Sequence, residues 1–200
     1  MSHPEIYRRL TGRLQCLNIT RPDFSYAIQH RSQFLSQPRQ PHYDAALHLV
    51  RYLKGTVNRG LVYPVQQSLL LLGFSDADWG RFSFSRRSLT LTAYCAFLGT
   101  ALLSWKIKKQ KTVSKSSAES KYRSMFETTS ELAQLAGLLW DHQSSPSLPI
   151  TLLPDNKADA RTAQNPVFHN RTKYLGTDGH YVSDTNQEGY LLTAHVSSQS

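Results

Sequence analysis

Cysteine is scarce in this chain: two in 200 residues, Cys16 and Cys95, each in an apolar stretch and neither in a metal-spaced cluster. That excludes a zinc site and leaves buried thiols in a reducing compartment as the simplest reading. Long apolar runs are missing as well. Nothing approaches the roughly 18 apolar residues of a membrane helix, and Met1-Ser2-His3-Pro4-Glu5 has neither the charged nor the apolar region of a signal peptide. A soluble, intracellular protein with no membrane partner is expected. Acid is the third shortage, with 14 Asp and Glu against 23 Lys and Arg, a formal charge of +9 and a pI near 9.7. Such a balance favours polyanionic partners, nucleic acid first.

What is present is enough apolar material, 40% of residues, for a real core within one domain and an appendage. The first 60 residues read as helices. Ile6, Leu10, Leu14 and Leu17 recur at helical spacing. Thr20-Arg21-Pro22-Asp23 then breaks the pattern and offers Asp23 as a cap to a second stretch, Phe24 to Leu35. A third runs from His42 to Leu53 and ends at Gly55. From about Leu69 the period becomes that of strands: Leu69 to Ser75 as a strand buried on both faces, then a hairpin of Leu89 to Leu98 and Ala101 to Ile107 turning at Gly99-Thr100. Ser116 to Gln143 is the longest helical pattern. A strand (Ile150 to Leu153), a short helix (Asn156 to Ala163), a weak helix (Asn170 to Val182) and a last strand (Tyr190 to Val196) follow. The order predicts a mixed α/β sheet.

Acids in a basic chain draw attention to Phe74-Ser75-Asp76-Ala77-Asp78-Trp79, Ser116-Ser117-Ala118-Glu119 and Pro154-Asp155-Asn156, each at a strand end or helix start. Hydrolysis of a phosphodiester with divalent ions needs several carboxylates converging from different elements, and hard Mg²⁺ prefers such oxygen ligands. Capping and helix-dipole roles account for Glu119 and Asp155 equally well on sequence alone.

Residues Tyr7-Arg8-Arg9-Leu10-Thr11-Gly12, Arg21-Pro22-Asp23-Phe24-Ser25-Tyr26-Ala27 and Val50-Arg51-Tyr52-Leu53-Lys54-Gly55-Thr56 resemble the tail of a copia-type retrotransposon reverse transcriptase. Ser75-Asp76-Ala77-Asp78-Trp79, Arg86-Arg87-Ser88, Tyr94 to Gly99, Ser104-Trp105-Lys106, Ser116-Ser117-Ala118-Glu119, Asp155-Asn156 and Asn165-Pro166-Val167-Phe168-His169 resemble the ribonuclease H domain of the same Pol polyproteins. The resemblance runs the length of the chain, in the family's order. It implies a ribonuclease H-like α/β fold with a five-stranded mixed sheet and flanking helices over residues 68–200, preceded by a helical reverse transcriptase remnant over residues 1–62. It further implies cleavage of the RNA strand of RNA-DNA hybrids with Mg²⁺ or Mn²⁺ held by Asp76, Glu119 and Asp155, in the cytoplasm, a virus-like particle or the nucleus.

The chain also departs from the family. After Tyr190 to Val196 stands only Ser197-Ser198-Gln199-Ser200, where relatives carry a helix with a fourth carboxylate. The expectation is therefore of a domain without its last helix and with weakened or lost activity, set against a catalytically inactive nucleic-acid-binding relic. No polymerisation is expected, because the paired-Asp motif is not in the sequence. Pro154 replaces a residue that donates to the ladder, and Lys121 stands where relatives often carry a second Glu. Lys173-Tyr174-Leu175-Gly176 puts glycine inside an expected helix. Lys106, Lys108, Lys109, Lys111 and Lys115, with Trp105, read as a phosphate-tracking edge or, equally, as a lysine-protected strand edge. Arg86-Arg87 is a second patch of that kind. Trp79 and Trp140 are expected as core or rim aromatics, and His169 and His180 in surface or loop roles.

Overall fold

A computed structural model describes residues 3–65, 68–79, 90–110, 114, 116–156 and 176–195, of which 176–180 by backbone alone. The chain divides into two compact units, Met1–Val62 and Tyr63–Ser200.

The first unit contains α1 (Pro4–Leu17), a 3₁₀ turn (Pro22–Phe24), α2 (Ser25–Ser32) and α3 (Gln40–Gly55). Pro4, Pro22 and Pro41 stand in the first turns, where the missing N–H is no loss. Tyr7, Leu14, Phe24, Ile28, Ala46 and Leu49 form its core. Asp23 is not a side-chain cap, contrary to the sequence expectation. Its carboxylate accepts from Arg21 Nε and Nη2 at 2.9 and 2.7 Å and from Tyr52 Oη at 2.7 Å. The Arg21 side chain is nearly buried, and a buried guanidinium needs a carboxylate more than a helix end needs a cap. That guanidinium, before any other cause, holds the Asp23 carboxyl below the usual range.

The second unit is α/β, as expected of a ribonuclease H-like domain. Strands β1 (Leu70–Asp78), β2 (Leu91–Leu98) and β3 (Ala101–Lys109) are followed by α4 (Ser117–Asp141), β4 (Ser147–Pro154), α5 (Gly176–Gln187) and β5 (Leu191–Thr193). The sheet order is β3-β2-β1-β4-β5. β2 is antiparallel to both β1 and β3, while β4 runs parallel to β1 and β5 parallel to β4. Gly99, at φ +56°, turns the hairpin where the sequence placed it. The short helix expected from Asn156 falls almost wholly outside the described residues. Gly176 is the first described residue of α5, and Lys173, Tyr174 and Leu175 lie outside the described residues; Pro154 is the last residue of β4, where a missing ladder donor matters least.

β1 is not buried on both faces. Leu71, Gly73, Ser75 and Ala77 are covered, whereas Leu70, Phe74 and Asp76 are open to solvent. The covered face lies under α4, whose Met125, Leu132 and Ala136 join Leu71, Ala96, Leu98, Ile150, Leu152, Val182 and Leu191 in one core. Gly73 is where the helix comes closest. A Cβ there would lie 2.6 Å from Leu132 Cδ1 and 3.0 Å from Thr128 Cγ2. Opposite effects follow for two glycines of this unit. Gly73→Ala overpacks the contact and should destabilise by about 1–3 kcal/mol. Gly137→Ala, with nothing within 4 Å of its Cβ, removes a helix-interior glycine and should stabilise by about 0.5–1 kcal/mol. Denaturant unfolding of the two variants measures both signs.

Candidate active site

Register brings two of the three expected acids together. The last paired residues of the parallel strands β1 and β4 are Ser75 and Pro154, so Asp76 and Asp155, one residue further along each strand, stand side by side. Neighbouring strands lie about 4.8 Å apart, close enough for like charges to interact strongly. Asp76 keeps access to solvent, yet its pKa is raised above the ordinary carboxylate value. Partial burial is the larger cause and the charge of Asp155 the next. Asp78 adds to the effect, while the Ala77 backbone N–H and Lys121 oppose it.

The helix supplies the third wall. Ser116 caps α4 by accepting from the Glu119 backbone N–H at 3.1 Å, and the helix is stitched to the sheet directly beneath. Ser124 Oγ donates to the Asp76 carbonyl at 2.7 Å. Gln110 Nε2 donates to Thr92 Oγ1 and to the Ser120 carbonyl, both at 2.9 Å, while Gln110 Oε1 accepts from Ser114 Oγ at 2.6 Å. Trp79, on the rim and about half exposed, donates from Nε1 to the Ser114 carbonyl at 3.0 Å. These bonds pin the ends of β1 and β3 to the first turns of α4. Sequence reasoning missed Ser124 and Gln110. The available signal was Ser120, Ser124 and Thr128, small hydroxyl residues four apart within the apolar stripe of α4.

Each of the other two expected acids carries an internal cation. Arg123 Nη2 lies 2.8 Å from Glu119 Oε1, and the Glu119 side chain is nearly buried. Lys121 Nζ lies 3.1 and 3.0 Å from the two carboxylate oxygens of Asp155. Among the described residues, no three Asp, Glu, His or Cys side chains form a group able to hold a metal ion. The hard oxygens of Asp76 and Asp155 fit a shared divalent cation, which would relieve their mutual repulsion. Glu119 is engaged by Arg123.

The basic run is divided by strand alternation. Ser104 and Lys108 face α4, where Ser104 Oγ donates to Glu131 and Lys108 Nζ pairs with Glu127 at 2.7 Å. Lys106 shares that face and is exposed. Trp105 and Lys109 alternate to the other face, and burial lowers the Lys109 pKa. Lys111, Lys115, Arg86, Arg87 and His169 lie outside the described residues, as does the side chain of His180. Trp140, on the rim, pairs with the Tyr190 ring at 6.0 Å.

No family model matches the chain. It is 37% identical over 197 residues to the retrovirus-related Pol polyprotein from transposon RE1 of Arabidopsis thaliana, which covers 98% of this chain and 13% of that protein. The counterpart from transposon RE2 of the same plant is 38% identical over 194 residues, 97% of this chain and again 13% of the relative. The chain thus spans 13% of the length of each. Among solved structures, LC11-RNase H1 isolated from compost superposes with a TM-score of 0.45 at 9% identity, over 65% of this chain and 86% of that one.

The raised pKa of Asp76 has a definite sign for stability. The unfolded chain ionises this carboxyl more readily than the folded one, so ionised Asp76 weakens the fold at neutral pH, and that cost disappears once pH falls below the unfolded value. Asp76→Asn should therefore raise the melting temperature at pH 7, with the gain shrinking towards pH 3. Paired thermal melts at the two pH values test this, and a melting temperature lowered at pH 7 would contradict it.

Proposed function

The chain belongs to the Pol polyproteins of copia-type retrotransposons, and on that premise we propose that its second unit is a nuclease domain that hydrolyses the RNA strand of RNA-DNA hybrids. The observation that carries this reading is the pairing of Asp76 with Asp155 at the ends of adjacent parallel strands, under the N-terminus of α4. Carboxylates in that position suit Mg²⁺ or Mn²⁺, and Asp76 and Asp155 are the residues that would hold the ion. The chemistry supplied by such an ion, when bound, is activation of water and neutralisation of the departing oxygen. The chain's own part is to fix the pair: Ser124 holds the Asp76 backbone, and Lys121 holds the Asp155 carboxylate. The exposed ammonium of Lys106 offers a sequence-independent contact for phosphate.

A second reading is favoured by the two ion pairs. Glu119 with Arg123 and Asp155 with Lys121 give two of the three expected ligands an internal counter-ion. A domain in that state binds nucleic acid without cutting it.

One assay separates the two. The purified chain is incubated with a hybrid labelled on its RNA strand, with and without Mg²⁺ or Mn²⁺, beside Asp76→Asn. Metal-dependent cutting that falls by at least about 100-fold in the variant is the expected result. Retention of the hybrid in a mobility shift with no cleavage at any metal concentration would establish the inactive reading instead.

A further inference from the structure

Lys121 reaches from the start of the second turn of α4 to the mouth of the acid pair. Its ammonium contacts both carboxylate oxygens of Asp155, at 3.1 and 3.0 Å. The lysine side chain is 19% exposed and that of Asp155 42%. The contact is thus partly withdrawn from water, where a charge pair is stronger than on an open surface. The same ammonium is near enough to Asp76 to favour its ionised form. One side chain therefore faces both members of the pair.

A lysine ammonium and a hard divalent ion seek the same thing from a carboxylate, its oxygen lone pairs. An ammonium that already bridges both oxygens of Asp155 competes with such an ion for them, by charge and by position. We propose that Lys121 is the resident counter-cation of the Asp76–Asp155 pair, with which a divalent metal ion must compete, so that this side chain sets the metal affinity of the site. The inference rests on the reading of the acid pair as a metal site and deepens it. Under this assignment the lysine has two effects. It stabilises the like-charged pair in the absence of metal, and it raises the metal concentration needed to load the site.

The test is Mn²⁺ binding to the full chain by isothermal titration calorimetry, with cooperative melting as the check on folding. Lys121→Met should tighten Mn²⁺ binding by about tenfold or more, because it deletes a positive charge beside the ion. Lys121→Arg, which keeps the charge, should stay within about threefold of the wild type. The gain should vanish in the double variant Lys121→Met with Asp155→Asn. If Lys121→Met does not melt cooperatively, Lys121→Gln takes its place under the same criterion. Equal affinity in wild type and the neutral variant overturns the assignment of Lys121 and leaves the metal site standing. No Mn²⁺ binding by any variant overturns both. Tighter binding with the hybrid still uncut supports the assignment and removes the nuclease reading instead.

Discussion

The close seating of α4 on β1 at Gly73 is the constraint on which the acid pair depends. With no side chain on the strand at that point, Leu132 and Thr128 drop onto the backbone. The helix then lies low enough for Ser124, two turns before Leu132, to reach the carbonyl of Asp76. Packing and polar contact are consequences of one separation. A helix lifted by a single methyl group would loosen the apolar core and draw Ser124 and Lys121 away from the strand ends together. The site is placed by a missing side chain in the core as much as by the charged residues at its rim.

Charge in this protein is less outward-facing than its composition suggests. Arg21 serves Asp23, Lys108 serves Glu127, Lys121 serves Asp155 and Arg123 serves Glu119. Each pair joins a scarce acid to one of the abundant bases. The count of 23 Lys and Arg thus overstates the cations available to a polyanion, although the net charge, which already subtracts the acids, is unchanged by the pairing. Strand alternation divides β3 further, sending consecutive lysines to opposite faces of the sheet.

Much of the architecture was legible in the residues. The change from helical to strand periodicity near Leu69, the Gly99 turn and, from the order of elements, the mixed α/β sheet could be read directly, and the ordered resemblances added its ribonuclease H-like, five-stranded form. The three acids could be named, but not their relation to one another. The side-by-side placement of Asp76 and Asp155 comes from the register of two strands separated by a hairpin and a long helix, and no local pattern encodes it. The capping role expected of Asp23 failed because the demand of a nearly buried Arg21 arises only after folding. The strand expected to be buried on both faces is a similar case, since an apolar run shows affinity for a core without showing how many sides are covered. Ser120, Ser124 and Thr128 were legible in principle, as a stripe of small residues marking where a helix lies close to a sheet.

Pro154 ends β4 without an amide to donate, so the backbone of Asp155 leaves the sheet without ladder support from the preceding residue. Among the described residues, the Asp155 side chain is held by its charge contact with Lys121. Backbone hydrogen bonds are nearly indifferent to dissolved salt, whereas a contact between a lysine and a carboxylate over 40% exposed is not. Asp76 is built into the sheet, and Asp155 is held by an electrostatic tether. Added salt therefore weakens the hold on Asp155 and leaves the backbone placement of Asp76 untouched.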